Sequence, residues 1–543
     1  MTHPTEPPAV PTRDDDEADE APVRPPGLAL ARAARGAMAV MVGLALWGGL
    51  QILGGDSSSD APDPAGDPAA LDSDGPPLPA FERDRYPEAW DERFVTLVSF
   101  VERRRGLPFR APVKVELLDP EEFQRGLVKD QRRALERLSA AERDALRSET
   151  GVLRALGLFE GEYDLVSHLD DPASAVLGYY DPETKVIRVS APTLDLFSEA
   201  TLVHELTHAL QDQYFDLGRM ENIESDGALA AFRALTEGDA SRIEAAYVER
   251  FNDEELAQYL EGATAYFEAS VGGEDGEDGV EQADTPEIYG VYAAAPYVLG
   301  ETFVSLLEAA RGAEAVDAAF REPPTGEEHI LDPWTFIDGH ERRPVDPPAL
   351  EPGDRKIEDG DLGALTWYLL LAERIDPKAT LLAFDGFGSD AYVTFDRAGR
   401  VCLAARFQGD TNADNLQMVG ALEAWRDAMP PGVVTVTRRA SVIDVLSCDP
   451  GTGAVAVTGR GPVAVLLPIV RTGIAVTLLD EGGTRLEAQC AGNGVIEEFS
   501  LDELVEFGVA LAGGSGEGFL QRMFGVFQRC VGPDGPGGSP GAL

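Results

Sequence analysis

The chain has 543 residues, enough for two or more domains, and its 44% hydrophobic content is ample for sizeable cores. Its 45 basic and 96 acidic residues give a net charge of −51, which argues against nucleic acid and anionic membrane surfaces as main partners. A cationic substrate or a salty habitat suits that balance.

Residues 1–35 are rich in Pro, Asp, Glu and Ala and hold no aromatic residue, so they bury too little surface to fold and read as a disordered tail. Residues 36–54, GAMAVMVGLALWGGLQILG, carry no formal charge, and at about 1.5 Å per residue they nearly cross a hydrocarbon core of roughly 30 Å. They read as a single transmembrane helix. Arg24, Arg32 and Arg35 precede it and no Lys or Arg follows until Arg83, which places the N-terminus in the cytoplasm and the bulk of the chain outside. The alternative is a secreted chain after signal cleavage, against which stand the long acidic leader and the lack of an A-x-A site. Residues 55–80 form a Ser/Pro/Asp/Gly linker.

Residues 81–389 are expected to form the first folded unit. Residues 86–104 read as a helix, 113–118 as a strand, and 120–156 as one or two charged helices ending near Gly157. VLGYYDPETKVIRVS, residues 176–190, places a turn composition between two β-rich runs and reads as a hairpin. An unpaired strand edge can hold an extended peptide by its backbone groups, so Gly178 and Tyr179 are candidate substrate-binding residues; an ordinary sheet edge is the other reading.

The hairpin leads into residues 201–216, TLVHELTHALQDQYFD. Leu202, Val203, Leu206, Ala209 and Leu210 recur at helical intervals, Ser198 is a suitable N-cap and Gly218 a suitable stop. His204 and His208 are four residues apart and therefore stand one above the other on one helix face, able to reach one ion. Zinc accepts neutral imidazoles and a carboxylate and in catalytic sites leaves a position for water, whose proton the adjacent Glu205 can take. Two surface His on a helix would be the plain reading, but the chain has only six His in all. A second long helix is expected over residues 225–251, and its Glu237, followed by Gly238 and Ala240 that permit close packing, is the favoured third ligand, with Glu244 and Glu224 next.

These residues resemble the gluzincin class of zinc metallopeptidases, and HELTHALQD is similar to the active-site helix of thermolysin-like enzymes. The resemblance covers roughly residues 175–250. It implies a zincin-like α+β catalytic domain, a Zn2+ cofactor held by His204, His208 and Glu237, Glu205 as general base, and a protein or peptide substrate. The class often has an Asp four residues after its ligand Glu. Here that position is Ser241, leaving Asp239 or Asp212 to orient a histidine. The overall layout looks more like exported bacterial metallopeptidases with HExxH, a later Glu-Gly-x-Ala and a Pro-Pro-Thr segment.

Residues 252–285 turn acidic and Gly-rich and read as a solvated loop. Residues 288–311 read as an apolar helix, and 321–336 as an irregular Pro-rich segment. A donor facing the ion would stabilise the oxyanion of peptide hydrolysis, and Tyr247, Tyr297 and His329 are the candidates, with His168 and His340 further outsiders. Residues 362–375 read as a helix.

Residues 390–531 are expected to form an α+β accessory region without a catalytic motif: strands near 391–396, 400–407, 433–447, 453–457 and 463–467, a helix over 413–428, and a final helical stretch. The four cysteines of this exported part allow three pairings, of which Cys402–Cys448 and Cys490–Cys530 are favoured. A flexible tail, 532–543, ends the chain. The leading expectation is a membrane-anchored extracytoplasmic zinc metallopeptidase. The alternatives are a non-catalytic binding or adhesion protein derived from one and a zinc hydrolase acting on another bond.

Overall fold

The computed structural model describes residues 85–162, 176–271, 287–457, 459–505 and 517–531. The expected tails, transmembrane helix and linker lie outside these residues, as does His168.

The chain opens with α1 (Val95–Arg105), β1 (Lys114–Leu117), α2 (Pro120–Arg137) and α3 (Ala140–Leu156), and α3 ends on Gly157 in the left-handed region. The hairpin of β2 (Gly178–Asp181) and β3 (Val186–Val189) leads to α4 (Leu196–Phe215), α5 (Asp226–Val248), α6 (Asp253–Val271) and α7 (Glu287–Arg311). Three short helices follow, α8 (Ala313–Arg321), α9 (Glu328–Leu331) and α10 (Pro333–Ile337). The remainder is β4 (Arg355–Gly360), α11 (Ala364–Ala372), α12 (Pro377–Phe384), β5 (Phe387–Asp396), β6 (Val401–Gly409), α13 (Asn412–Ala428), β7 (Val434–Arg439), β8 (Val442–Cys448), α14 (Gly461–Ala464), α15 (Leu466–Asp480), α16 (Arg485–Glu498) and α17 (Glu517–Val531).

The fold is α+β with two sheets. The small one has the order β1-β3-β2, β1 parallel and β2 antiparallel to β3, so β2 is an edge strand. The larger one is antiparallel, in the order β4-β5-β6-β8-β7. One core packs the small sheet (Ile187, Val189) and α1 (Leu97, Val101) on α4 (Leu202, Leu206, Leu210). The other joins α3, α5, α7 and α11 to the five-stranded sheet and to the final helices through residues such as Phe232, Phe303, Trp367, Phe407 and Leu467. The expected boundary between residues 389 and 390 falls inside β5, and this second core draws on both sides of it. Both expected disulfides are present. Cys402 and Cys448 face each other across β6 and β8, and Cys490–Cys530 ties α16 to α17.

Several boundaries differ from the sequence reading. The cap of α4 is Asp195, with Ser198 three residues on in a reciprocal capping box: each side chain accepts from the other's backbone N–H at 2.8 Å. The helix ends at Asp216, at φ 55°, rather than at Gly218; Asp tolerates the left-handed region because its short polar side chain bonds locally. Residues 253–271, expected as loop, are helical because Tyr259 is buried against Phe197. No strand forms over residues 453–457 or 463–467. The latter apolar run enters α14 and α15, where Pro462 occupies the first helical turn, as its fixed φ allows. Strand β4, a charged run at the sheet edge, carries no apolar alternation and went unforeseen. Residues 288–311 and 461–480 are long and apolar enough to cross a membrane, and each is about half buried within the fold.

Candidate metal centre

Helix α4 is buried along nearly its whole length, so its polar side chains must find partners inside the protein. His204 and His208 lie edge to face, with ring centroids 4.6 Å apart. Helix α5 crosses beside them, and Glu237 places Oε2 at 3.2 Å from Nε2 of each histidine. The three donor atoms lie within 4.8 Å of one another; among the described residues, no other His, Cys, Asp and Glu side chains gather into such a group.

Zinc fits this donor set. Tetrahedral coordination with bonds of about 2.0–2.2 Å sets neighbouring donors roughly 3.3–3.5 Å apart, close to the spacing found here. The outer nitrogens are also engaged. His204 Nδ1 is 3.0 Å from Glu244 Oε2, and His208 Nδ1 is 3.0 Å from Gln211 Oε1. Both partners are acceptors, so each Nδ1 carries a proton, which would leave each Nε2 to an ion shared with Glu237. Gln211 cannot invert: its Nε2 donates to the Thr236 carbonyl and to Asp239 Oδ2, both at 3.0 Å. Asp239 is itself fixed by Arg105 at 2.8 Å and Arg242 at 3.1 Å.

The electrostatics favour a cation at this point. Burial disfavours charge on His204, yet its hydrogen bonds to Glu237 and Glu244 hold its pKa well above the ordinary value. Burial likewise opposes the charge on Glu237, and the two histidines overcome it, holding the carboxyl far below its usual range. Glu205 goes the other way. Burial raises its pKa against the pull of His208 and His204.

Glu205 faces the edge strand. Its carboxylate accepts the Tyr180 backbone N–H, and a Cβ on Gly178 would come within 3.3 Å of its Cγ and 3.1 Å of Thr201 Cγ2. Glycine therefore lets β2 lie directly on α4. Tyr180 donates its hydroxyl to Asp212 at 2.7 Å and Lys185 pairs with the same carboxylate at 2.6 Å, which fastens the hairpin to the helix. Tyr179 packs on Phe123, with the Arg188 guanidinium over its ring.

Of the expected oxyanion donors, only Tyr297 stands at the centre. Its ring stacks on His204 with centroids 6.0 Å apart, and its hydroxyl is hydrogen-bonded to Glu237. Burial, then Glu237 and Glu205, hold its pKa well above the ordinary value, so the phenol keeps its proton. A backbone contact puts it there: a Cβ on Gly238 would fall 2.0 Å from the Gly300 carbonyl carbon, so α5 and α7 cross at these two glycines, next to Glu237 and one turn after Tyr297. The close approach expected of Gly238 is thus made to α7. Tyr247 follows Glu237 by ten residues, about 15 Å along α5, and donates to Glu199 at 2.8 Å. His329 is buried against Thr335 and Phe336, and burial, with His340 and Arg342 adding to it, lowers its pKa to about 4. His340 bonds Asp410. These three residues are engaged elsewhere.

Asp239 and Asp212, expected to orient a histidine, do so only through Gln211 or not at all. Glu244, expected as a reserve ligand, instead holds His204, and Glu224 is exposed just before the N-cap of α5. Sequence reasoning missed Gln211, although its spacing of three from His208 placed it on the same helix face. The chain matches no protein-family model, no curated protein and no solved structure.

Proposed function

We propose that this protein is a zinc-dependent metallopeptidase, anchored by residues 36–54 with its folded part outside the cytoplasm. The observation that carries the reading is the meeting of His204 and His208 Nε2 with Glu237 Oε2 beside Glu205 and the edge strand β2. His204, His208 and Glu237 would hold the ion. Zinc, when bound, supplies Lewis-acid polarisation of a water and of the scissile carbonyl. Strand β2 aligns an extended peptide by main-chain hydrogen bonds. Glu205 accepts the proton of the attacking water and delivers it to the departing amine as the C–N bond breaks. Tyr297 keeps its proton and so can donate to the oxygen on which charge develops.

The test is Glu205→Gln. Hydrolysis of a denatured protein is expected to fall by about 10²–10⁴-fold, with zinc content unchanged. Full activity in that variant would remove Glu205 from the mechanism. Tight zinc binding with no hydrolysis in the wild type would instead mark a binding protein.

A further inference from the structure

We propose that the cavity behind the metal centre is a substrate pocket for an apolar stretch of peptide longer than one side chain, floored by the five-stranded sheet. This rests on the peptidase reading above and adds the substrate class.

The cavity measures about 660 Å³, and Glu237 and Tyr297 form part of its wall, so it is continuous with the metal centre. A cavity of roughly 150 Å³ holds one benzene-sized group, so this one has room for several side chains. Tyr179 forms another part of the wall, which brings strand β2 to the cavity. Farther in, the surface is supplied by Leu153 of α3, Leu229 of α5, Leu365 of α11 and Leu403 of β6.

Carboxylates also reach the wall, but they are engaged there. Glu149 accepts from the Tyr289 hydroxyl, Glu327 from the Thr366 N–H and hydroxyl, and Glu358 from the Tyr392 hydroxyl. Arg233 also borders the cavity. What remains for an incoming chain is mostly hydrocarbon, which selects apolar residues by burying them. Tyr392, Thr394 and Leu403 belong to β5 and β6, in a region that carries no catalytic motif. That sheet thereby gains a role: it sets the depth of the pocket.

The pocket can be tested apart from the chemistry. Titrate the metal-free full chain in lipid nanodiscs with N-acetyl-Leu-Leu-Phe-amide by calorimetry, against empty discs and against N-acetyl-Ser-Gly-Ser-amide. Saturable binding of the apolar peptide alone is expected, weakened at least tenfold by Ala230→Trp, which fills the cavity from α5. Ala145→Trp fills it from α3 should the first variant not fold. With zinc restored, cleavage of a mixed peptide library should favour cuts next to two or more large apolar residues, and either variant should lower the apolar-to-small ratio of kcat/KM at least tenfold. Equal binding of the two peptides, or binding indifferent to both substitutions, overturns the proposal. Selective binding without zinc-dependent cleavage would refute the peptidase reading and leave the apolar-peptide pocket standing.

Discussion

Helices α4 and α11 are both buried on almost every side, yet they are buried for different reasons. Helix α11, ALTWYLLLA, is nearly all hydrocarbon, and its few polar atoms bond at once: Trp367 Nε1 to Asp390, the Tyr368 hydroxyl to the Ala464 carbonyl. Helix α4 buries His204, Glu205, Gln211, Asp212 and Gln213, and neighbouring elements must answer each of them. Gln213, for example, accepts from the Arg110 and Ala111 N–H groups and donates to the Ala111 carbonyl. Burying such groups without partners costs more than their hydrogen bonds return, so α4 is specified by its partners and α11 by its volume.

Removing one partner on the α4 side should have the largest effect. Asp212→Leu leaves Lys185 buried and unpaired and is expected to cost about 3–5 kcal/mol by denaturant titration; a loss below 1 kcal/mol would mean that the hairpin is held otherwise. On the α11 side, Leu369→Ala removes fully buried volume and should cost about 2–5 kcal/mol. Zinc affinity measured below the unfolding transition should not change; if it falls, the two helices are coupled and the contrast fails.

Gln211→Leu should lower zinc affinity by about 10–100-fold and cost about 1–3 kcal/mol for the buried partners it leaves unpaired, and Asp239→Asn should reproduce part of the affinity loss by freeing the Gln211 amide to invert. Wild-type affinity in both would show that His208 needs no such support. The smallest effect concerns a carboxyl outside both helices. Glu328 is pushed up to about 7 by burial, against the pull of Arg342, and neither of its oxygens has a hydrogen-bond partner among the described residues. The folded chain therefore binds this proton more tightly than the unfolded chain. Its contribution is fully present below the ordinary value of 4.5 and is lost as pH rises through about 7. Glu328→Gln should flatten that decline; an unchanged stability profile between pH 4 and 8 would exclude Glu328 as its source.

What was legible in the sequence was local. The spacing of His204 and His208, the hairpin around residues 182–185, and the helices from α2 to α5 follow from periods of 3.6 and 2 and from turn composition. Glu237 could be favoured because it stood on the next amphipathic helix, followed by Gly238 and Ala240, which permit close packing. The rest depended on contacts distant in sequence. Residues 463–467 form the start of a buried helix, which no periodicity separates from a buried strand. Tyr297 could not be chosen over Tyr247 and His329, because the choice is made by the packing of α7 on α5. Glu244 was seen as a ligand in reserve, since nothing in a list of glutamates tells an inner from an outer position.

The crossing of Gly238 and Gly300 gives the centre an unusual point of vulnerability. The spacing between the Glu237 carboxylate and the Tyr297 phenol is gauged by two residues that have no side chain. A single added methyl group at either place would wedge the helices apart and widen the whole centre, with every reactive residue still in the chain. Loss of function here can therefore arise from a substitution that a survey of reactive groups would pass over.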